Sequence, residues 1–123
     1  MNIKELTRAE EQVMQELWKQ GKAFVKEIIE QMEDPKPAYN TVSTIIRILE
    51  TKGFVGHESF GKSHRYFPKV SKDDYKDFAA GKLISGYFDN SAKKMLSFFI
   101  QENRLNIKET DELLRLLEKA KKK

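Results

Sequence analysis

Residues 38–68 read AYNTVSTIIRILETKGFVGHESFGKSHRYFP, and the fold turns on how this stretch divides. Over 38–52, Val42, Ile45, Ile46 and Leu49 share one side of a helix, while Asn40, Ser43, Thr44, Arg47 and Thr51 share the other. Lys52-Gly53 closes that helix. Beyond it come two β-prone runs, Phe54–Phe60 and His64–Pro68, around Gly61-Lys62-Ser63, which is the pattern of a hairpin. An amphipathic helix with a neutral, hydrogen-bonding outer face therefore runs straight into a β-hairpin.

Two helices precede this unit. Thr7-Arg8-Ala9-Glu10 forms a capping box, Val13, Met14, Leu17 and Trp18 make one stripe, and Gly21 supplies the stop, which predicts a helix over about 8–19. Val25, Ile28, Ile29 and Met32 repeat the pattern until Asp34-Pro35-Lys36-Pro37 breaks it, which predicts a second helix over about 24–33. Downstream, Ser71 with Asp74 starts a helix running to about Phe88. Asp89-Asn90-Ser91 caps another, and Asn106 with Glu109 caps a last one. The predicted fold class is mainly α with a small β-hairpin: a winged helix-turn-helix domain over 1–70, followed by a three-helix dimerisation domain over 71–123.

In that arrangement the second helix of the pair enters the major groove and the hairpin tip meets the neighbouring backbone. Asn40, Ser43, Thr44 and Arg47 are the expected contacts on the helix, because arginine can read guanine, asparagine can read adenine, and hydroxyls bond bases or phosphates. Lys62, Ser63, His64 and Arg65 are expected at phosphates, as is Lys22 near the start of the second helix. The C-terminal helices carry apolar faces at Tyr75, Phe78, Leu83, Tyr87, Met95, Leu96, Phe99, Leu113, Leu116 and Leu117. So short a segment cannot bury them alone, and a second copy is the expected partner.

Composition narrows the function further. The chain has 123 residues, 23 basic and 19 acidic, for a net charge of +4. Five basic residues oppose eight acidic ones over 1–35, but six oppose only two over 36–70, so the positive footprint sits on the helix-hairpin stretch. Zero cysteines exclude a disulfide framework, thiolate zinc sites and cysteine nucleophiles. No window has the length of a membrane span, and the N-terminus lacks the apolar core of a signal peptide, so the expected location is the cytoplasm. His57 and His64 have no metal-ligand spacing, no catalytic triad can be read, and no cofactor or enzyme activity is expected. Gly56-His57-Glu58-Ser59-Phe60-Gly61-Lys62-Ser63 matches the phosphate-loop pattern letter for letter, yet a β-prone run ending in Pro68 follows where that loop needs a helix. A competing reading is a winged-helix protein-interaction module that does not bind DNA, which fits the acidic balance of 1–35.

Two stretches carry a family resemblance: Glu11-x-Val13-Met14-x-x-Leu17-Trp18, and Thr41-Val42-x-Thr44-x-x-x-x-Leu49-x-x-Lys52-Gly53-Phe54-Val55. Together they resemble the penicillinase repressor family over nearly the whole chain. The resemblance implies a homodimeric repressor that binds palindromic double-stranded operator DNA controlling antibiotic-resistance or related genes, and a regulatory protease as a further partner. It places DNA contacts at Asn40, Thr41, Ser43, Thr44 and Arg47 and on the hairpin near Lys62 and Arg65. Two departures stand out: Ile48 occupies a position where the family usually has arginine, and Phe98-Phe99 stands where the family's β-lactam repressors are cut at an Asn-Phe bond.

Overall fold

The structure is a computed structural model that describes residues 3–102 and 104–121, the side chains of 114 and 116–121 excepted. The chain divides into two compact units, residues 1–79 and 80–123.

The first unit begins with α1 (Arg8–Gln20). Its capping box forms as expected, with the Glu10 N–H donating to Thr7 Oγ1 over 3.2 Å and the Thr7 N–H donating to Glu10 Oε1 over 2.9 Å. Gly21, at φ +82°, ends the helix and donates to the Leu17 carbonyl. Val13, Met14 and Leu17 of α1 are fully buried against Val42, Ile46 and Leu49 of α3 (Tyr39–Thr51), so the two apolar stripes meet as a single core. Phe54 and Val55 close the far end of that core.

Between these helices the chain departs from the sequence reading. Ala23–Phe24 is a short strand, β1, and α2 covers only Val25–Glu30. Ala23 pairs with Tyr66 and Phe24 with Arg65, so the start expected to be helical is drawn into a sheet. The helix stops early because Gln31 and Met32 turn back with short-range bonds, and the Lys36 ammonium takes the freed carbonyls of Glu30 and Met32 at 3.0 and 2.7 Å.

The hairpin forms as β2 (Val55–Phe60) and β3 (Ser63–Pro68), and with β1 it makes a three-stranded antiparallel sheet in the order β1-β3-β2. Phe60 pairs with Ser63, leaving Gly61-Lys62 as a two-residue loop whose positive φ of +62° falls on the glycine. The phosphate-loop lookalike is thus strand, turn and strand, with no helix after Lys62-Ser63. At Gly56, an added Cβ would lie 2.8 Å from the Phe67 ring, so a larger residue there would displace the ring.

Helix α4 (Lys72–Tyr87) starts on Ser71, whose hydroxyl accepts from Asp74 N–H, and the division between the units falls inside it. Tyr75 corrects an expectation. Its ring is buried on Phe54, Trp18 and Phe78, and its hydroxyl accepts the Leu6 N–H over 3.0 Å, so it belongs to the core of its own chain and not to a dimer face. Phe78 packs partly buried on the same core. The ion pair between Lys52 and Glu10, at 2.7 Å, joins the end of α3 to the start of α1.

The second unit holds the rest of α4, α5 (Ala92–Gln101) and α6 (Ile107–Lys121). Ser91 caps α5 through the Lys94 N–H, and Asn106 and Glu109 cap α6 reciprocally at 2.7 and 3.3 Å. Phe88, Phe98 and Phe99 form a ring cluster with centroids 5.6 to 6.4 Å apart. No described residue of this unit is buried.

Candidate nucleic-acid interface

The polar side of α3 is free because its opposite side is locked into the core. With Val42, Ile46 and Leu49 at zero exposure, helical spacing turns Asn40, Thr41, Thr44, Arg47 and Thr51 to solvent, with Ser43 half-buried at the flank. Arg47 Nη2 donates to Ser43 Oγ over 3.3 Å, and the Thr51 hydroxyl bonds the Arg47 carbonyl, so the guanidinium lies back along the helix toward its N-terminus. Ile48 is 42% exposed on the same outward side.

Tertiary folding brings the hairpin beside this helix. Ser43 and Arg47 of α3 share a groove of about 1070 Å³ with Lys62, Ser63 and His64 of the hairpin and with Lys26 of α2. Lys26, Arg47, Lys62 and His64 therefore line one channel together with Tyr39, Phe24 and Phe60 and with the Glu27 and Glu30 carboxylates of α2. Such a channel suits a polyanionic backbone lying between helix and wing.

The expected contacts separate on the sheet. Lys62, Ser63 and His64 line the groove, whereas Arg65, on the same face as Ser63, pairs across the strands with Glu58, and Lys22 bonds that same carboxylate over 2.8 Å. Hydrogen bonding from the Lys22 ammonium holds the Glu58 carboxyl below its ordinary value, with Arg65 adding to the effect. Arg65 Nε is buried without a hydrogen-bond partner. Lys22 is thus engaged within the protein. Thr41 lines a second groove of about 590 Å³ between α1 and the turn that follows α2.

Sequence reasoning missed Lys26, Tyr39, Phe24 and Phe60. Tyr39 is 54% exposed in the first turn of α3, and Phe60 is 51% exposed beside Phe24, their centroids 5.8 Å apart. Exposed aromatics next to a cationic helix face were the available signal, but only pairing of β1 with β3 puts Phe24 against the hairpin tip. Also missed was the Glu50–His57 contact, at 2.5 Å, that joins α3 to β2. Burial pushes the nearby Tyr66 hydroxyl up, reinforced by the Glu50 carboxylate. Among the described residues no cluster of three His, Asp or Glu side chains is placed to hold a metal ion, and no helix is long and apolar enough to cross a membrane.

The remaining dimerisation candidates lie in the second unit. Leu83 is 38% and Tyr87 82% exposed, Met95, Leu96, Phe99 and Leu113 are half-buried, and the side chains of Leu116 and Leu117 lie outside the described residues. Phe98 and Phe99 sit within α5.

Three helices, a small antiparallel sheet and a helix face paired with a wing define a winged-helix DNA-binding protein. The solution structure of the DNA-binding domain of the repressor BlaI superposes with a TM-score of 0.52 at 27% identity, covering 60% of this chain and 92% of that domain. The penicillinase repressor family model matches residues 6–119. The chain belongs to the penicillinase repressor family. It is 24% identical over 120 residues to the penicillinase repressor of Bacillus licheniformis, covering 97% of this chain and 94% of the relative. It is 27% identical over 116 residues to the methicillin resistance regulatory protein MecI of Staphylococcus aureus, covering 94% of each. These relatives are regulators of transcription and not enzymes.

Proposed function

We propose that the protein represses transcription as a homodimer on palindromic operator DNA, with α3 in the major groove and the β2–β3 turn on the adjacent backbone. Asn40, Thr44 and Arg47 read base edges, Thr41 and Ser43 contact bases or phosphates, and Lys62, Ser63 and His64 hold the backbone. The observation that carries this reading is the shared groove in which Ser43 and Arg47 of the helix face Lys62 and His64 of the hairpin. The names of the relatives support it. The winged-helix part, proposed to span residues 1–70, binds DNA, and the helices over 71–123 pair two copies through Leu83, Tyr87, Met95, Leu96, Phe99 and Leu113. A two-fold axis then sets two copies of α3 about 34 to 36 Å apart, one turn of duplex.

Gel shifts over a range of salt concentrations test the reading. Arg47→Ala should weaken specific binding by about 1–3 kcal/mol and relax sequence preference, while Lys62→Ala should weaken binding to every sequence and flatten the salt dependence. Equal losses for Arg47→Ala on specific and random DNA would remove the base-reading role. A chain with no salt-sensitive affinity for any duplex would favour a protein-interaction module instead.

A further inference from the structure

The two histidines of the chain, His57 and His64, lie on adjacent strands and on the same face of the sheet. Their ring centroids are 4.2 Å apart and their planes 8° from parallel. Tyr66 leans against both rings, at 5.8 and 6.1 Å. The outer ring, His64, stands in the groove wall; the inner one, His57, bonds Glu50 of α3 through Nδ1 over 2.5 Å.

Parallel imidazoles at this separation resist carrying a charge each. Every packed element contributes to their balance. From α3, the Glu50 carboxylate favours a proton and the Arg47 guanidinium opposes one. From α2, Lys26 opposes a proton while Glu27 and Glu30 favour it, and Lys62 of the hairpin turn opposes it again. Tyr39 and Tyr66 complete the surround. A phosphate entering the groove neutralises the opposing cations and bonds an imidazolium directly, which tips the balance toward the protonated pair.

We propose that the His57–His64 stack takes up one proton from solvent as a DNA phosphate enters the groove, with His64 touching the phosphate and His57 positioning it against Glu50 of the recognition helix. This rests on the DNA-binding reading above. The sign follows from linkage: the bound form holds more protons than the free form, so affinity rises as pH falls. The device couples wing to helix, because the side chain that sets the charge of the phosphate contact is anchored on α3.

The test uses the full chain and a fluorescein-labelled duplex of arbitrary sequence, since phosphate contact needs no operator. Anisotropy titrations at constant ionic strength should show affinity rising about three- to tenfold between pH 8 and pH 6. His64→Gln, a change at an exposed site, should flatten that rise. His57→Gln should keep the rise but move its midpoint to higher pH, because it removes the competing ring and frees the Glu50 carboxylate. Calorimetry of the unaltered protein in buffers of different ionisation enthalpy should register net proton uptake on binding. An equal pH slope in wild type and His64→Gln, with salt-sensitive DNA binding intact, overturns the proton linkage and leaves the DNA-binding reading standing. Absence of salt-sensitive binding at every pH overturns both.

Discussion

The two units of this chain put similar proportions of apolar side chain to opposite ends. In residues 1–79, the stripes of α1, α2 and α3 face one another, and Val13, Met14, Leu17, Ile28, Val42, Ile46 and Leu49 all reach zero exposure. In residues 80–123 no described residue is buried, and Leu83, Tyr87, Phe98, Ile100 and Ile107 are exposed. Amphipathic helices are common to both, so the difference is one of partners: the first unit closes its stripes on each other and on a sheet, whereas the second leaves them available for another surface.

The contrast is broken most sharply in the core. Phe54→Ala should lower the stability of the first unit by about 3–5 kcal/mol in urea unfolding, since the ring is fully enclosed. A much smaller loss would show that this core relaxes freely. In the second unit, Phe98→Asp should leave the unfolding of the first unit unchanged but weaken self-association by about 2–4 kcal/mol in sedimentation equilibrium. An unchanged association constant would take α5 out of the interface.

A smaller effect probes the joint between α1 and α3. Burial pushes the Glu10 carboxyl up, but hydrogen bonds from Lys52 and from Thr7 outweigh it and hold the group below its ordinary value of 4.5. A depressed folded-state value means that its contribution is complete above the unfolded value and is lost as pH falls through the folded one. Lys52→Met should therefore cost about 1–3 kcal/mol at neutral pH, and the deficit should shrink below pH 4.5 as the lone carboxylate protonates. Denaturation curves at matched pH values check both the size and the window.

The caps sharpen the comparison at a finer scale. Thr7→Ala should cost the first unit about 1 kcal/mol, because α1 frays against a core that needs it. Ser91→Ala, the same chemistry on α5, should chiefly raise local amide exchange near Ala92 without moving the main unfolding transition. Smallest of all is Lys22→Met: both partners of the Lys22–Glu58 pair are well exposed, and the denaturation midpoint should not move.

Much of the fold could be read locally. The capping boxes at Thr7 and Asn106, the serine caps at 71 and 91, the Gly21 stop and the Gly61 turn all appear where short-range signals place them. The strand Ala23–Phe24 could not be read, because two residues show no alternation and its only cause is pairing with Tyr66 and Arg65 forty residues away in sequence. The premature end of α2 depends likewise on Lys36 reaching back to two carbonyls. The candidate site was legible on α3, where one buried stripe dictates its opposite, and only partly so on the hairpin. There register pairs Arg65 with Glu58 and sets His64 on the opposite face with His57 and Tyr66.

By itself the sequence determined the order of helices and hairpin, the polar outer face of α3 and the family to which the chain belongs, because helical period, caps and turn glycines act over a few residues. Tertiary structure alone decided that Tyr75 serves the first core, that Lys22 and Arg65 turn to Glu58, and that His57 and His64 stack between Glu50 and the groove. The physical reason is that these are pairings between residues far apart along the chain, fixed by sheet register and close packing, which no local pattern encodes.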